Sequence, residues 1–402
     1  MKSYDFIIAG GGCAGLSMAY YLSKSNLSGA SILVIDWDEK TQNDRTWCFW
    51  ESRATAFDAI VSKNWQSIRF AGTRGTRIFS TNHQPYQLIR SADFYAFTKA
   101  AIQEQTNVTF LQADISQVGE DEHSAWVVAN GERYHAQWVF NSCFNWRQWQ
   151  AEAGVHHFLV QHFRGWIIET AKPAFEPQTA TLMDFRTVQH GHARFMYVLP
   201  FSTTRALVEY TIFSPETEPV ERYETVLRQY IQDTLGVDDY TIVETEQGAI
   251  PMTDMRLPER AGQRIVRIGT AGGAVKPTTG YAFLRIQAQT QRMVKQLERT
   301  GAPWSKPMLR SRFRFYDRLL LNILQHEGVQ ARGIFEALFR HNKLNVIFSF
   351  LNEETNLWQE TRIFARLPIG VFLRALWRVY VQPPRLKNAP VWYPATNERR
   401  WI

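Results

Sequence analysis

The spacing of hydrophobic and polar positions changes several times along the chain, and each change predicts an element. Tyr4 to Ala9 reads as a short apolar strand that enters Gly10-Gly11-Gly12-Cys13-Ala14-Gly15, after which Leu16 to Ser23 takes helical spacing. Ser31 to Ile35 forms a second strand that stops at Asp36. Tyr86–Arg90 precedes a helix predicted over Ala92–Glu104 and a strand over Val108–Ala113, and Trp138–Asn141 reads as another sheet strand. The pattern then turns strand-rich, with Phe158–Ile168, Thr179–Phe185, Arg194–Leu199 and Ala206–Phe213 as strands, some separated by Pro or Gly. A helix over Arg222–Leu235 closes at Gly236, and Thr241–Ile250 reads as one more strand. A last strand, Arg264–Gly269, leads through a second glycine cluster into a helix near Phe283.

A chain of 402 residues accommodates two domains, or one large cofactor domain with an inserted partner. Hydrophobic residues make up 45% and aromatics 14%, with 14 Trp and 26 Phe, a supply of flat apolar side chains that suits an apolar ligand. Cys13, Cys48 and Cys143 lie far apart without metal or redox spacing, so neither zinc nor disulfides are expected, and a reducing compartment is. Met1 leads directly into the apolar strand without the pattern of a signal peptide, which makes a cytoplasmic location the expectation. The net charge of +7 is unevenly placed: residues 301–402 hold 16 Lys and Arg against 7 Asp and Glu, and the first 300 hold 29 against 31. The basic residues sit among aromatics rather than in a recognised nucleic-acid motif, so nucleic acid is not an expected partner. Within Ile363–Val381, arginines 366, 374 and 378 interrupt the apolar residues, so no run is long enough to span a bilayer. Two readings of that stretch stay open: a helix lying in a membrane interface, or one that packs its apolar side inward with the arginines outward.

The first glycine cluster is a GxGxxG loop in its proper setting. Gly10 permits the tight turn, Gly12 lets a pyrophosphate approach the backbone, and Gly15 allows close packing of helix on strand, with Ala14 beside it at the helix start. Asp36 stands about twenty residues on, where a carboxylate accepts hydrogen bonds from a ribose. These features together predict a bound dinucleotide. The second cluster, Gly269-Thr270-Ala271-Gly272-Gly273 followed by Thr278-Thr279-Gly280-Tyr281, resembles the late flavin-contacting segment of the FAD-binding fold shared by aromatic hydroxylases. It selects FAD, with Gly269, Gly272, Gly273, Thr279 and Gly280 as candidate contacts, although Thr270 replaces the customary aspartate. Arg90 is either a cofactor contact or a surface arginine before a helix.

Candidate chemistry centres on Leu199–Ser214, LPFSTTRALVEYTIFS, where Glu209 is the sole carboxylate. Strand alternation puts Leu207, Glu209, Thr211 and Phe213 on one face. A buried acid there would escape its charge by protonation and become a proton source, whereas on a solvent face it would be unremarked.

The segments GGGCAGLSMAYYL (10–22), NDRTWCFW (43–50), QHFRGWIIET (161–170), MDFR (183–186), YVLPFS with LVEYT (197–211), EQGAIPMT (246–253) and IGTAGGAVKPTTGY (268–281) resemble those of the bacterial lycopene β-cyclases. The resemblance runs from residue 4 to about 380. It implies an α/β fold: a Rossmann-like FAD-binding domain of the aromatic-hydroxylase type, an inserted mixed or antiparallel sheet for the substrate, and a helical C-terminal region. The expected divisions are 1–55, 86–150 and 256–300 for the FAD domain, 56–85 and 151–255 for the substrate sheet, and 301–402 for the helical region. The implied activity is a non-redox cyclisation of lycopene to γ-carotene and then β-carotene, with reduced FAD as cofactor and NADPH as its electron source. By the same resemblance Glu209 is the proton donor or cation stabiliser, and Asp184 of MDFR is a second acid or base candidate, with a turn or cap as its alternative role. Trp47, Phe49, Trp50 and Trp166 are candidate cation-facing aromatics. A hydrocarbon substrate implies peripheral attachment to the inner face of the cell membrane. The rival readings are a flavin monooxygenase or halogenase on the same fold, and a flavin- or lipid-binding protein without catalysis.

Overall fold

The computed structural model describes residues 2–82, 84–304 and 311–381; residues 305–310 and 382–402, within the predicted C-terminal region, lie outside them. Two large sheets organise the chain. The first runs Val108–Gln112, Ile32–Asp36, Lys2–Ala9, Glu132–Asn141, Ala125–Ala129 and Ile115–Glu120, with Ile265–Arg267 also pairing with Glu132–Asn141. Its pairings around Lys2–Ala9 are parallel, and those to Ala125–Ala129 and Ile115–Glu120 antiparallel. Helices Cys13–Ser23, Ser91–Gln103 and Phe283–Thr300 pack on one face through Leu16, Met18, Phe94, Ile286 and Met293.

The second sheet runs Thr241–Thr253, Phe158–Glu169, Arg205–Ser214, Ala193–Pro200, Thr179–Asp184, Ser67–Gly72 and Gly75–Ser80. All pairs are antiparallel except Thr179–Asp184 with Ser67–Gly72, so the sheet is mixed. One face buries Trp166, Val208, Tyr210 and Ile212 against Tyr223, Leu227 and Ile231 of helix Val220–Asp233. The other packs Leu207 and Phe213 toward Phe335, Leu338 and Phe339 of helix Gln330–His341. Strand Arg205–Ser214 is therefore buried at nine of its ten positions. A strand covered on both faces has no solvent side, and the surface reading of Glu209 falls away. A small third sheet, Thr46–Trp50, Tyr86–Arg90 and Lys63–Trp65, bridges the two large ones.

The stretch Ile363–Val381 departs from the single helix expected of it. Helix Leu357–Phe364 ends before Pro368, which carries no N–H to continue a helix, and a new helix occupies Ile369–Tyr380. It packs an apolar side inward, Val371 and Ala375 against Leu319, Ile323 and Ile334, but presents a second apolar side outward. Val371 and Ala375 are buried, Arg374 and Arg378 pair with Glu327 of the protein body, and Ile369, Leu373, Trp377 and Tyr380 are 52–67% exposed in one stripe. No helix among the described residues is long and apolar enough to cross a membrane.

Candidate active site

A cavity of about 360 Å³ opens between the two sheets, within the range of ligand sites. Gly12, Cys13 and Ala14 line one end, Phe335, Leu338 and Phe339 another, and Glu209 and Glu246 stand in its wall.

At the glycine end each backbone constraint is visible. Gly10 has φ +98°, and a Cβ there would lie 2.2 Å from Ser142 Oγ. A Cβ on Gly15 would strike the Gly10 carbonyl at 1.8 Å, whereas Gly12 has open space beside it. Asp36 Oδ2 accepts the Gly11 N–H at 2.6 Å, which ties the acid to the loop. Helices Cys13–Ser23 and Phe283–Thr300 both begin at the cavity, where their free N–H groups favour negative charge. Thr270, Thr279 and Gly280 line the wall opposite. Thr279 Oγ1 and Gln161 Oε1 are buried without a hydrogen-bond partner, both facing the cavity. Buried polar atoms are normally satisfied, so this pair suits the polar edge of a bound ligand. The loops, the helix starts and the unpaired donor and acceptor fit a flavin dinucleotide.

Other candidates have different surroundings. Gly269 has φ +63° and packs against Ala14, where a Cβ would come within 2.5 Å; Gly272 and Gly273 shape the turn behind it. Arg90 is outside the cavity and pairs with Glu244 at 3.2 Å. Arg45, unassigned in the sequence, lines the cavity instead. Asp184 is buried but committed: it accepts from the Arg186 backbone and guanidinium and from Tyr230 Oη at 2.8 Å, and it does not line the cavity. This is the turn role left open for it. Of the four aromatic candidates, Trp47 alone lines the cavity. Phe49 stacks on Phe283, Trp50 on Phe348, and Trp166 lies on the opposite sheet face beneath Arg228. Phe163, Phe195, Tyr197, Phe213 and Tyr281 are among the other rings that line the cavity.

Around Glu209 four strands align. Tyr197, Glu209, Gly165 and Glu246 are register partners in one row across the sheet. Glu209 Oε1 accepts from Thr211 Oγ1, and Glu246 Oε2 from Thr46 Oγ1, each at 2.7 Å. Burial pushes the Glu209 carboxyl well above the usual range, and the neighbouring Glu246 adds to the rise. Burial also raises Glu246. A carboxyl kept neutral in an aromatic cavity is a proton donor. Beyond it, Tyr86 Oη meets the hydroxyls of Tyr197 and Tyr281 beside Cys48, whose thiol burial pushes up to about 12.

A family model described as lycopene cyclase protein matches residues 5–376. The lycopene beta cyclase of Solanum lycopersicum chloroplasts is 25% identical over 313 residues, which cover 71% of this chain and 58% of that protein. The chain thus spans less than two thirds of the plant relative's length. The lycopene beta-cyclase of Pseudescherichia vulneris is 25% identical over 295 residues, covering 69% of this chain and 70% of that one. Among solved structures, a flavin-dependent brominase superposes with a TM-score of 0.57 at 14% identity, covering 95% of this chain and all of its own. That likeness establishes the aromatic-hydroxylase-type flavoprotein fold.

Proposed function

The chain belongs to the lycopene cyclase family, and on that premise we propose that it closes the acyclic ends of lycopene to β-rings, by way of γ-carotene to β-carotene, with no net redox change. The observation that carries the reading is Glu209, a carboxyl kept neutral by burial in an aromatic-lined cavity that also reaches the dinucleotide loops.

In this reading Glu209 gives its proton to the terminal double bond, the neighbouring double bond attacks the resulting cation, and loss of a ring proton leaves the β-end. The same burial that keeps Glu209 protonated makes it a weak acid, so stabilisation of the cation must supply much of the rate. Cavity rings such as Trp47, Phe163 and Phe195 offer their faces to that charge. FAD, held by the Gly10–Gly15 loop, Asp36, Thr279 and Gly280, would when reduced supply a delocalised negative charge, with NADPH as the proposed reductant. The cavity rings keep water from the cation.

Lycopene dissolves in the bilayer, and the exposed stripe of helix Ile369–Tyr380 supports peripheral attachment, proposed for the inner face of the cell membrane.

The test is expression of the chain and its Glu209→Gln variant in a bacterium that makes lycopene, followed by chromatography of the pigments. β-Carotene from the first and a loss of about 10²–10⁴-fold in a folded, flavin-loaded second are expected. Lycopene unchanged by the parent despite bound flavin, with NADPH consumed and oxygen incorporated into another substrate, would replace cyclisation by the monooxygenase reading.

A further inference from the structure

Glu246 shares the register row of Glu209, and the residue between them is a glycine. A Cβ at Gly165 would lie 2.9 Å from Leu207 Cδ1, 3.1 Å from Glu246 Cγ and 3.3 Å from Glu209 Cβ, so any side chain would wedge the acids apart. Across that gap both carboxyl groups stand in the same cavity wall, where the neighbouring Glu246 adds to the rise of the Glu209 pKa. The threonine hydroxyls on their flanks already donate, one to each acid. Two ionised carboxylates this near in a buried wall repel each other, so the pair favours holding one proton.

We propose that Glu246 is the positioning residue of the proton donor: it shares a single proton with Glu209 across Gly165 and thereby keeps that proton in the cavity. The inference rests on the cyclase reading for its purpose, but the pair itself does not depend on it. The surroundings decide which acid carries the charge. Burial raises both acids, but Glu209 further. Glu246 stands on the edge strand of its sheet, is only partly buried and accepts from Thr46, while Glu244 opposes its charge and Arg45 favours it. Cys48 and Tyr281 face the pair as neutral groups. The proton therefore resides on Glu209 and the charge on Glu246. In the reaction the shared proton forms the new C–H bond with the alkene π electrons, which leaves two carboxylates beside a carbocation. When the ring carbon releases its proton, the C–H pair becomes the ring double bond and the acid pair regains one proton. The cycle closes without an external acid, base or oxidant.

Glu246→Gln, isosteric with the acid, removes the charge that holds the proton on Glu209. Infrared titration of the full chain would follow the protonated-carboxyl band that Glu209→Gln abolishes. In Glu246→Gln that band is expected to titrate about one pH unit or more lower than in the parent, and the alkaline limb of lycopene cyclisation to move with it. Glu246→Asp, which keeps the acid, should restore most of the shift. If Glu246→Gln does not fold, Gly165→Ala separates the same groups without deleting either and carries the same expectation. A band and an alkaline limb unchanged from the parent would overturn the proposal while leaving the cyclase reading intact. A shifted band in a chain that never cyclises lycopene would do the reverse.

Discussion

At the scale of single residues, the acid that runs the proposed chemistry should burden the fold. Folding raises the Glu209 pKa, so its contribution is fully present below the unfolded value, about 4.3, and is lost as pH rises toward the folded one. Glu209→Gln has no such loss. It is expected to unfold at the same temperature as the parent or higher at neutral pH, with the gap in thermal melts widening as pH rises above about 4.3. A variant markedly less stable at neutral pH would mean that the carboxyl is held for structure. Glu209 is legible in the sequence because it interrupts an apolar β-run. Glu246 is not, because TIVETEQGAI alternates acids as any solvent-facing strand does and its partner is set by register across Gly165. Nothing in the NDRTWCFW segment says that Arg45 rather than Arg90 faces the cavity; that depends on the turn before the third sheet.

Elements were legible wherever their period was clean. Helix Val220–Asp233 begins and ends two residues before the expected bounds, and Thr241–Thr253 runs three residues past Ile250 because Pro251 and Met252 still pair with Val160 and Leu159. Of the arginines, Arg374 does lie on a solvent face, whereas Glu327, on another segment, draws Arg378 inward, a partnership the sequence does not show. Apart from Arg374, the large side chains exposed on helix Ile369–Tyr380 are apolar. Replacing Leu373 and Trp377 by Glu should leave thermal stability nearly unchanged, since both side chains are more than half exposed, yet sharply reduce sedimentation with anionic liposomes. Equal sedimentation of variant and parent would detach this helix from the membrane reading.

At the scale of the molecule, the cavity exists because three bodies meet: the glycine loops, the second sheet and the C-terminal helices. Polar pins hold the third body in place. Asp254, at the end of the second sheet, accepts from His157 and from Arg318 of helix Ser311–His326, and Lys276 joins the late glycine loop to Asp317. Burial alone would raise the Asp254 carboxyl, but the hydrogen bonds from His157 and Arg318 outweigh it and hold it at about 2. A depressed pKa contributes stability above the unfolded value, about 3.9, that disappears as pH falls through the folded one. Asp254→Asn should therefore cost about 1.5–3 kcal/mol at pH 7, and melts of variant and parent should converge near pH 2. Such pins are invisible in sequence, since their members lie far apart along the chain. The interleaving of the bodies also has a consequence in time. Strand Ile265–Arg267 completes the first sheet, and Gln287 and Gln291 of the helix after it bond Ser17 and Tyr21 of the first helix. A ribosome that has delivered residues 1–141 must work on the order of ten seconds more before those partners emerge. Through that interval the nascent dinucleotide fold waits half-covered, exposed to chaperones and unable to close on its cofactor.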